Sequence, residues 1–589
     1  MSTTLRNLTW VLLWAGLMGA ATGCSRLTCT PTTPADDASN PGSGETRAQP
    51  SFALFTEITE AVGLRFVHDA GFDPQHPEYF MPESMAPGAA MFDYDGDGDL
   101  DIYLVNGAHT YDPKPGTKPP RNRLLRNDGP DGFVDVTDPS GLGDTGWGMG
   151  VAVGDIDNDG DEDVYLTNYG PDALYRNNGD GTFEDVTKVA GIDNPKWAAS
   201  AAFFDYDRDG YLDLFVTNYL AYDPSVKGRD RAGRPEYTGP HLFAALDDVL
   251  YHNNGDGTFT DVSAEAKISE MPGRGLGLAC ADFNDDGWPD VYVANDREAN
   301  RLWMNQGDGT FEDDALLAGV ALNSFGLPEA SMGVAVGDVD GDGDLDLFMT
   351  HLFVESNTLY QNEGGGVFED RTVRCGLSAA SIDYTGFGTA FLDYDHDGDL
   401  DLVVVNGRVR RDAPFQGAGS ADHWKVYKEP NLLFENDGLG IFRDVSAQAG
   451  TLCSYVEVSR GLVSGDIDND GDLDLLITNG GGSARLFRND APKKGNWLVV
   501  RALDPALNRD ANGAQIVVRA NGHRYRRDIN RGFSYLCSGD PRAHFGLGGA
   551  GHVDGIEVRW PDGTLEFFPK TETNQILQLS RGTGQWRPE

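Results

Sequence analysis

DYDGDGDLD, Asp93 to Asp101, sets five carboxylates within nine residues. Left bare, such a cluster repels itself, so a folding chain that keeps it needs positive charge among the aspartates. Close copies return six times: DIDNDGDED at 155, DYDRDGYLD at 205, DFNDDGWPD at 282, DVDGDGDLD at 338, DYDHDGDLD at 393 and DIDNDGDLD at 466. Position 6 is Gly and position 9 is Asp in every copy, while position 7 varies, with Tyr211 and Trp288 among its occupants. Such variation suits a position that offers its backbone carbonyl. Oxygens from positions 1, 3, 5, 7 and 9 around a tight Gly turn suit Ca²⁺, which takes about six to eight oxygens in a flexible shell.

The candidate calcium ligands follow from this register. In the first three loops they are Asp93, Asp95, Asp97, Asp99 and Asp101; Asp155, Asp157, Asp159, Asp161 and Asp163; and Asp205, Asp207, Asp209, Tyr211 and Asp213. The fourth loop offers Asp282, Asn284, Asp286, Trp288 and Asp290, and the fifth Asp338, Asp340, Asp342, Asp344 and Asp346. Asp393, Asp395, Asp397, Asp399 and Asp401 form the sixth set, and Asp466, Asp468, Asp470, Asp472 and Asp474 the seventh. Up to seven Ca²⁺ are expected. An EF-hand would need Glu at position 12. Here that position holds Leu104, Leu166, Val216, Val293, Met349, Val404 and Ile477, so each loop runs into a strand.

A second motif follows the first six clusters, as in RNDGPDGFVDVT at 126, RNNGDGTFEDVT at 176 and HNNGDGTFTDVS at 252. Asn-Gly and Asp-Gly between apolar runs signal a hairpin. One unit is then strand, acidic loop, strand, connection, strand, hairpin, strand. Four antiparallel strands per unit indicate propeller blades. Seven clusters but only six internal fourth strands leave the last unit incomplete. FALFTEIT, residues 52–59, supplies the missing strand. The expected fold is all-β: a seven-bladed β-propeller over 51–492, its last blade closed by the N-terminal strand, plus a small C-terminal β domain over 493–589.

The chain has 589 residues and a formal net charge of -47, with 93 acidic against 46 basic side chains. No basic footprint for nucleic acid exists at that balance. The 40% hydrophobic content still argues for packed cores. Residues 1–23 read as a secretory signal of the lipoprotein type, because the apolar run from Trp10 is too short to span a bilayer. ATGC resembles a bacterial lipobox that would lipidate Cys24; Ala21 stands where Leu is commoner, so cleavage without lipidation stays open. Residues 24–50 look like a disordered tether. This predicts an exported protein, periplasmic or on the surface of a bacterium, touching membrane only through a lipid anchor. A Cys453–Cys537 bridge is one option for the scattered cysteines.

The paired motifs resemble the FG-GAP/VCBS repeats of integrin α-chain propellers, and over nearly the whole chain the bacterial relatives of cartilage acidic protein 1. NWLVVRAL, NRDANGAQIVV and HFGLGGAGHVDGIEVRWPDG beyond residue 493 look like the ASPIC/UnbV domain that follows such propellers, and YTGP at 237–240 matches that family's YCGP with Thr238 in place of Cys. The resemblance implies a secreted calcium-binding propeller with an interaction role and supplies no catalytic site.

Topology puts the acidic loops and the Asn-Gly hairpins on one face. The long connections, 60–87, 107–121, 221–246 and 408–428, fall on the other, where binding loops are expected. Asn106, Asn168, Asn218, Asn295, His351, Asn406 and Asn479 end the second strands; they are either strand caps or a polar collar at a central channel. His68, His76, His109, His241 and His423 also fall in the insertions. The expected function is adhesion or binding of a protein or glycan ligand on this face. An enzyme acting on polysaccharide through His241, His351, Glu236 and Glu429 is the alternative. Residues 493–589 carry a net charge of +4, so they either dock on the acidic disc or face anionic glycans or lipid head groups. RYRRD within them reads as a solvated strand face.

Overall fold

Short strands with apolar alternation and a Gly- and Ala-rich first member build the molecule. The computed structural model describes residues 53–75, 77–109, 118–419 and 422–586. Expectations for Cys24, the signal, the tether and His76 lie outside the described residues. Among these, seven four-stranded antiparallel units repeat, the first being Ala89–Phe92, Asp101–Leu104, Arg123–Asn127 and Phe133–Asp135. The seventh combines Ser459–Gly465, Asp474–Asn479 and Arg485–Asn489 with Phe55–Glu57 from the other end of the chain, registered Phe55 to Asn489 and Glu57 to Phe487.

The first strands stand side by side. Each packs on the first strand of the next unit, and Ser459–Gly465 packs on Ala89–Phe92, so the series returns to its start. Small residues permit this approach: a Cβ on Gly277 would meet the carbonyl oxygen of Met332, in the neighbouring unit, at 2.1 Å. Between units, apolar side chains form separate cores. Tyr103, Val151 and Val164 share one, and Phe55, Val403 and Leu475 share another. The inner edges of the sheets are thereby covered, and the outer edges are three-residue strands such as Phe133–Asp135 and Phe183–Asp185, too short to invite much pairing.

Residues after 493 build their own core from Leu498, Val500, Ile516, Val518, Phe545 and Trp560. Two sheets enclose it. One runs Arg509–Asp510, Trp497–Asp504, Ala543–Gly546, with Ile576–Ser580 parallel to Trp497–Asp504; the other runs His523–Asp528, Gln515–Ala520, Gly555–Arg559, Leu565–Phe568, Gln585–Trp586. The Asn521-Gly522 and Asp562-Gly563 turns are the expected hairpin turns. The suggested disulfide is not formed: Cys453 and Cys537 are buried free thiols in separate cores.

Candidate metal centres and the opposite face

All seven acidic loops share one backbone conformation. Position 6 glycine has φ from 92 to 106°, a region that side chains disfavour, and position 4 is also left-handed in every loop. The position 1 carboxylate accepts the N–H of that glycine at 2.9–3.1 Å in all seven. The position 5 carboxylate accepts the N–H of position 7, as Asp97 does from Asp99 and Asp209 from Tyr211. These bonds fold the acidic side chains inward, toward one another.

Position 9 ties each loop to its blade. Asp101 accepts the N–H of Tyr94 on one oxygen and that of Asn127 on the other, at 3.1 and 2.8 Å. Its counterparts Asp163, Asp213, Asp290, Asp346, Asp401 and Asp474 are all buried and all accept from the asparagine that ends the third strand of their own blade.

The arrangement fits a divalent cation on observed grounds. Ligand oxygens of Asp93, Asp95 and Asp101 converge, as do those of Asp155, Asp157 and Asp163, and of Asp338, Asp340 and Asp346, all within 4.8 Å of one another. Asp205 Oδ1, Asp282 Oδ1 and Asp393 Oδ1 are buried at position 1 without a hydrogen-bond partner. Burial pushes the Asp101 carboxyl up to about 8 and that of Asp155 to about 7, with neighbouring aspartates adding to both shifts. A dication among them would reverse that penalty and hold the groups ionised. Only oxygen donors meet in most loops, which selects hard cations. In the fourth loop the exposed Asp285 carboxylate pairs with Arg526 at 2.9 Å.

The C-terminal domain sits on these loops. Lys494 bonds Asp395, Asp397 and Glu435 at 2.7–2.8 Å. Arg509 donates to Asn158 and to the carbonyl of Gly210, joining the second and third loops. Arg526 donates to Asp285 and to the Gly343 carbonyl, joining the fourth and fifth. Arg531 pairs with Glu162, and Arg542 donates to Asn469 and the Asp466 carbonyl. This corrects the reading of RYRRD as a solvated face: Arg526 is 6% exposed because it is wedged between two loops. Of the two roles expected for this basic segment, docking on the disc is the one adopted.

From the same domain a hairpin enters the centre of the ring. Gly532–Phe533 and Cys537–Ser538 pair with each other, and Ser538 extends the first blade beside Ala90. Ser534 exchanges two backbone bonds with Val334, and Tyr535 donates its hydroxyl to the Met85 carbonyl at 3.0 Å. Met81 to Met85 descend from the opposite face to meet it. Arg460, fully buried over the Phe387 ring, donates to the Ser84, Gly407 and Arg408 carbonyls. The centre is filled, not a channel.

The polar collar is therefore absent among the described residues. The strand-end asparagines turn to their own connections instead: Asn106 donates to Arg121, Asn168 to Pro171, Asn218 to Asp247, Asn295 to Ala299, Asn406 to Pro430 and Asn479 to Ser483. His351 is buried, with burial lowering its pKa to about 4 and Nε2 3.6 Å from Glu329. Of the other candidate acid–base groups, Glu236 accepts the Tyr427 hydroxyl at 2.6 Å and pairs with Arg411. Glu429 pairs with Arg408 and accepts the Thr385 N–H. His241 stands exposed on a short turn.

YTGP lies on this opposite face and lines a recess of about 30 Å³ with Tyr219, Asp296, Arg297 and Arg410. Arg297 and Arg410 reach solvent, while Asp296 is buried and accepts the Tyr219 hydroxyl at 2.5 Å. Beneath it Glu83 is 1% exposed; one oxygen accepts the Tyr237 hydroxyl at 3.1 Å and the other has no partner. Nothing in the spacing of Glu83, Asp296, Arg297 or Arg410 flagged them, because they come together only from three separate connections.

Residues 93–166, 155–216, 243–293 and 282–349 match the FG-GAP-like repeat family, and residues 504–585 match ASPIC and UnbV. The chain is similar to cartilage acidic protein 1 of Xenopus tropicalis, 26% identical over 90% of this chain and 78% of that protein. Its mouse counterpart is 25% identical over 87% and 68%. Among solved structures, BBS1N in complex with ARL6DN covers 74% of this chain and 97% of its own at 9% identity, with a TM-score of 0.40. No helix among the described residues is long and apolar enough to cross a membrane.

Proposed function

We propose that this chain, in which FG-GAP-like repeats are joined to an ASPIC/UnbV domain, is an exported calcium-loaded binding module. Its acidic loops hold Ca²⁺ as structural clamps. The partner, a protein or glycan, is taken by the face that carries the insertions. One observation carries this reading: the C-terminal domain occupies the loop face and its hairpin fills the centre, so among the described residues the insertion face is the one left open. There Arg297 and Arg410 flank a recess walled by Tyr219, Tyr237 and Pro240, a pairing of cation and aromatic surface that suits interface anchors. Export follows from the leader and the lipobox-like ATGC, with Cys24 as the anchor. Calcium fits that compartment, where its concentration reaches the range of weaker sites.

Glycan and secreted-protein arrays probed with and without chelator test the reading. Calcium-dependent capture that Arg410→Glu abolishes supports it. Capture indifferent to both chelator and Arg410→Glu would refute it, as would turnover of a polysaccharide without retention.

A further inference from the structure

One position beside each loop varies from blade to blade in a way that reaches the ligands. The residue just before each hairpin asparagine is Arg126, Arg176, His252, Met304, Gln361, Glu435 or Arg488 in chain order. The three arginines turn outward, pairing with Asp128, Glu184 and Asp490 on their own hairpins. His252 turns inward. Its Nδ1 lies 3.1 Å from Asp213 Oδ1 and 3.4 Å from Asp207 Oδ2, the position 9 and position 3 oxygens of the third loop. These three atoms form a convergent donor set of their own, and Asp205, 8% exposed, adds a buried oxygen with no hydrogen-bond partner at position 1 of that loop.

Two donors bound to one metal at about 2.0–2.2 Å stand roughly 3.0–3.5 Å apart at tetrahedral or octahedral angles. The separations around His252 already have that size. Calcium makes no use of an imidazole nitrogen, whereas zinc and its neighbours favour it. Asp213 is fixed from behind by the N–H groups of Tyr206 and Asn253, so one ligand arm is preorganised.

We propose that the third loop binds a borderline divalent transition metal, of the zinc class, through His252 Nδ1 with Asp207, Asp213 and Asp205. The other six loops offer no such nitrogen from this position. One chain thus carries two kinds of metal centre, and the third blade answers to a different ion from the rest. The inference rests on the reading of the loops as cation sites, but not on what the opposite face binds.

The test uses the full chain, dialysed against excess calcium with zinc as the added probe, and measures both metals. One zinc per chain retained against calcium is expected. Co²⁺ in its place should give the visible absorption of a nitrogen-containing site. His252→Arg, the residue of three other blades, should lower zinc retention at least about tenfold, with calcium at the remaining loops and the circular dichroism spectrum unchanged. His252→Asn, which keeps an oxygen donor, should likewise lose zinc. Zinc washed out by calcium in the unaltered chain, or zinc held equally by both variants, would overturn the proposal. Calcium bound without zinc defeats this inference alone. Neither metal bound defeats the cation reading as well.

Discussion

The side-chain amide of Asn127 donates to the carbonyl of Ile467 at 2.9 Å, bridging first and seventh blades across 340 residues of sequence. Each hairpin asparagine makes this link to position 2 of the preceding loop: Asn177 to Tyr94, Asn253 to Ile156, Asn305 to Tyr206, Asn362 to Phe283, Asn436 to Val339 and Asn489 to Tyr394. The hairpin asparagine, read in the sequence as a turn former, is therefore also the stitch between blades. Asn127 additionally donates to Leu100 and accepts from Gly129, so all its polar atoms are used.

Asn127→Ala should cost about 2–4 kcal/mol, since each bond contributes about 1 kcal/mol net and buried carbonyls are left unpaired. Hydrogen exchange should quicken at residues 100–104 and 466–470 first. Asn253→Ala should loosen the second and third blades instead. Equal loosening everywhere in both variants would contradict a local seam.

Within the loops, hydrogen bonding and ion binding can be separated. Asp290 is fully buried and accepts from Phe283 and Asn305, whereas Asp286 is exposed. Asp290→Ala should destabilise by about 2–4 kcal/mol even in chelator, because two buried N–H groups lose their acceptor. Asp286→Ala should cost little in chelator and remove only the added stability that calcium gives by mass action. Thermal melts of both variants with and without calcium decide the matter; identical behaviour would defeat the division of roles.

The period-2 strands, Gly-bearing loops and unmatched strand at 52–59 made the repeating sheets legible, because each signal is local and recurs. Gly at position 6 and Asp at position 9 could be read for the same reason. What stayed hidden depends on contacts between distant segments. RYRRD alternates like a solvated strand, and only the acidic loops opposite it make burial of Arg526 tolerable. The filled centre was invisible because Ser534, Tyr535 and Leu536 carry no repeat signal. Gly88 is a trace of it: a Cβ there would meet the Leu536 carbonyl oxygen at 2.0 Å.

Docking of the C-terminal domain yields to a double-mutant cycle at Arg526. Its partner Asp285 is half exposed, so their coupling should be below about 1 kcal/mol. Asp528, its side chain only 11% exposed, lies beside the same guanidinium, bonded at 3.0 and 3.1 Å, and should couple more strongly. Arg526→Ala should also raise exchange at 285–287 and 341–343. Unchanged exchange at 285–287 and 341–343 in Arg526→Ala would count against the wedge.

Burial pushes the Glu83 carboxyl from 4.5 up to about 8, against the opposing hydrogen bond from Tyr237. Between those values the native chain keeps a proton that the unfolded chain releases. The stability tied to that proton is full below about pH 4.5 and is lost as pH rises through about 8, at up to about 1.4 kcal/mol per pH unit. Glu83→Gln keeps the shape and removes the titration. In saturating calcium, where the loop carboxylates are held alike in both proteins, the melting temperature of the unaltered chain should fall more steeply from pH 5 to 8 than that of the variant. Parallel curves would mean that Glu83 is ionised in the folded protein, and that the recess beneath Tyr237 is better solvated than its 1% exposure implies.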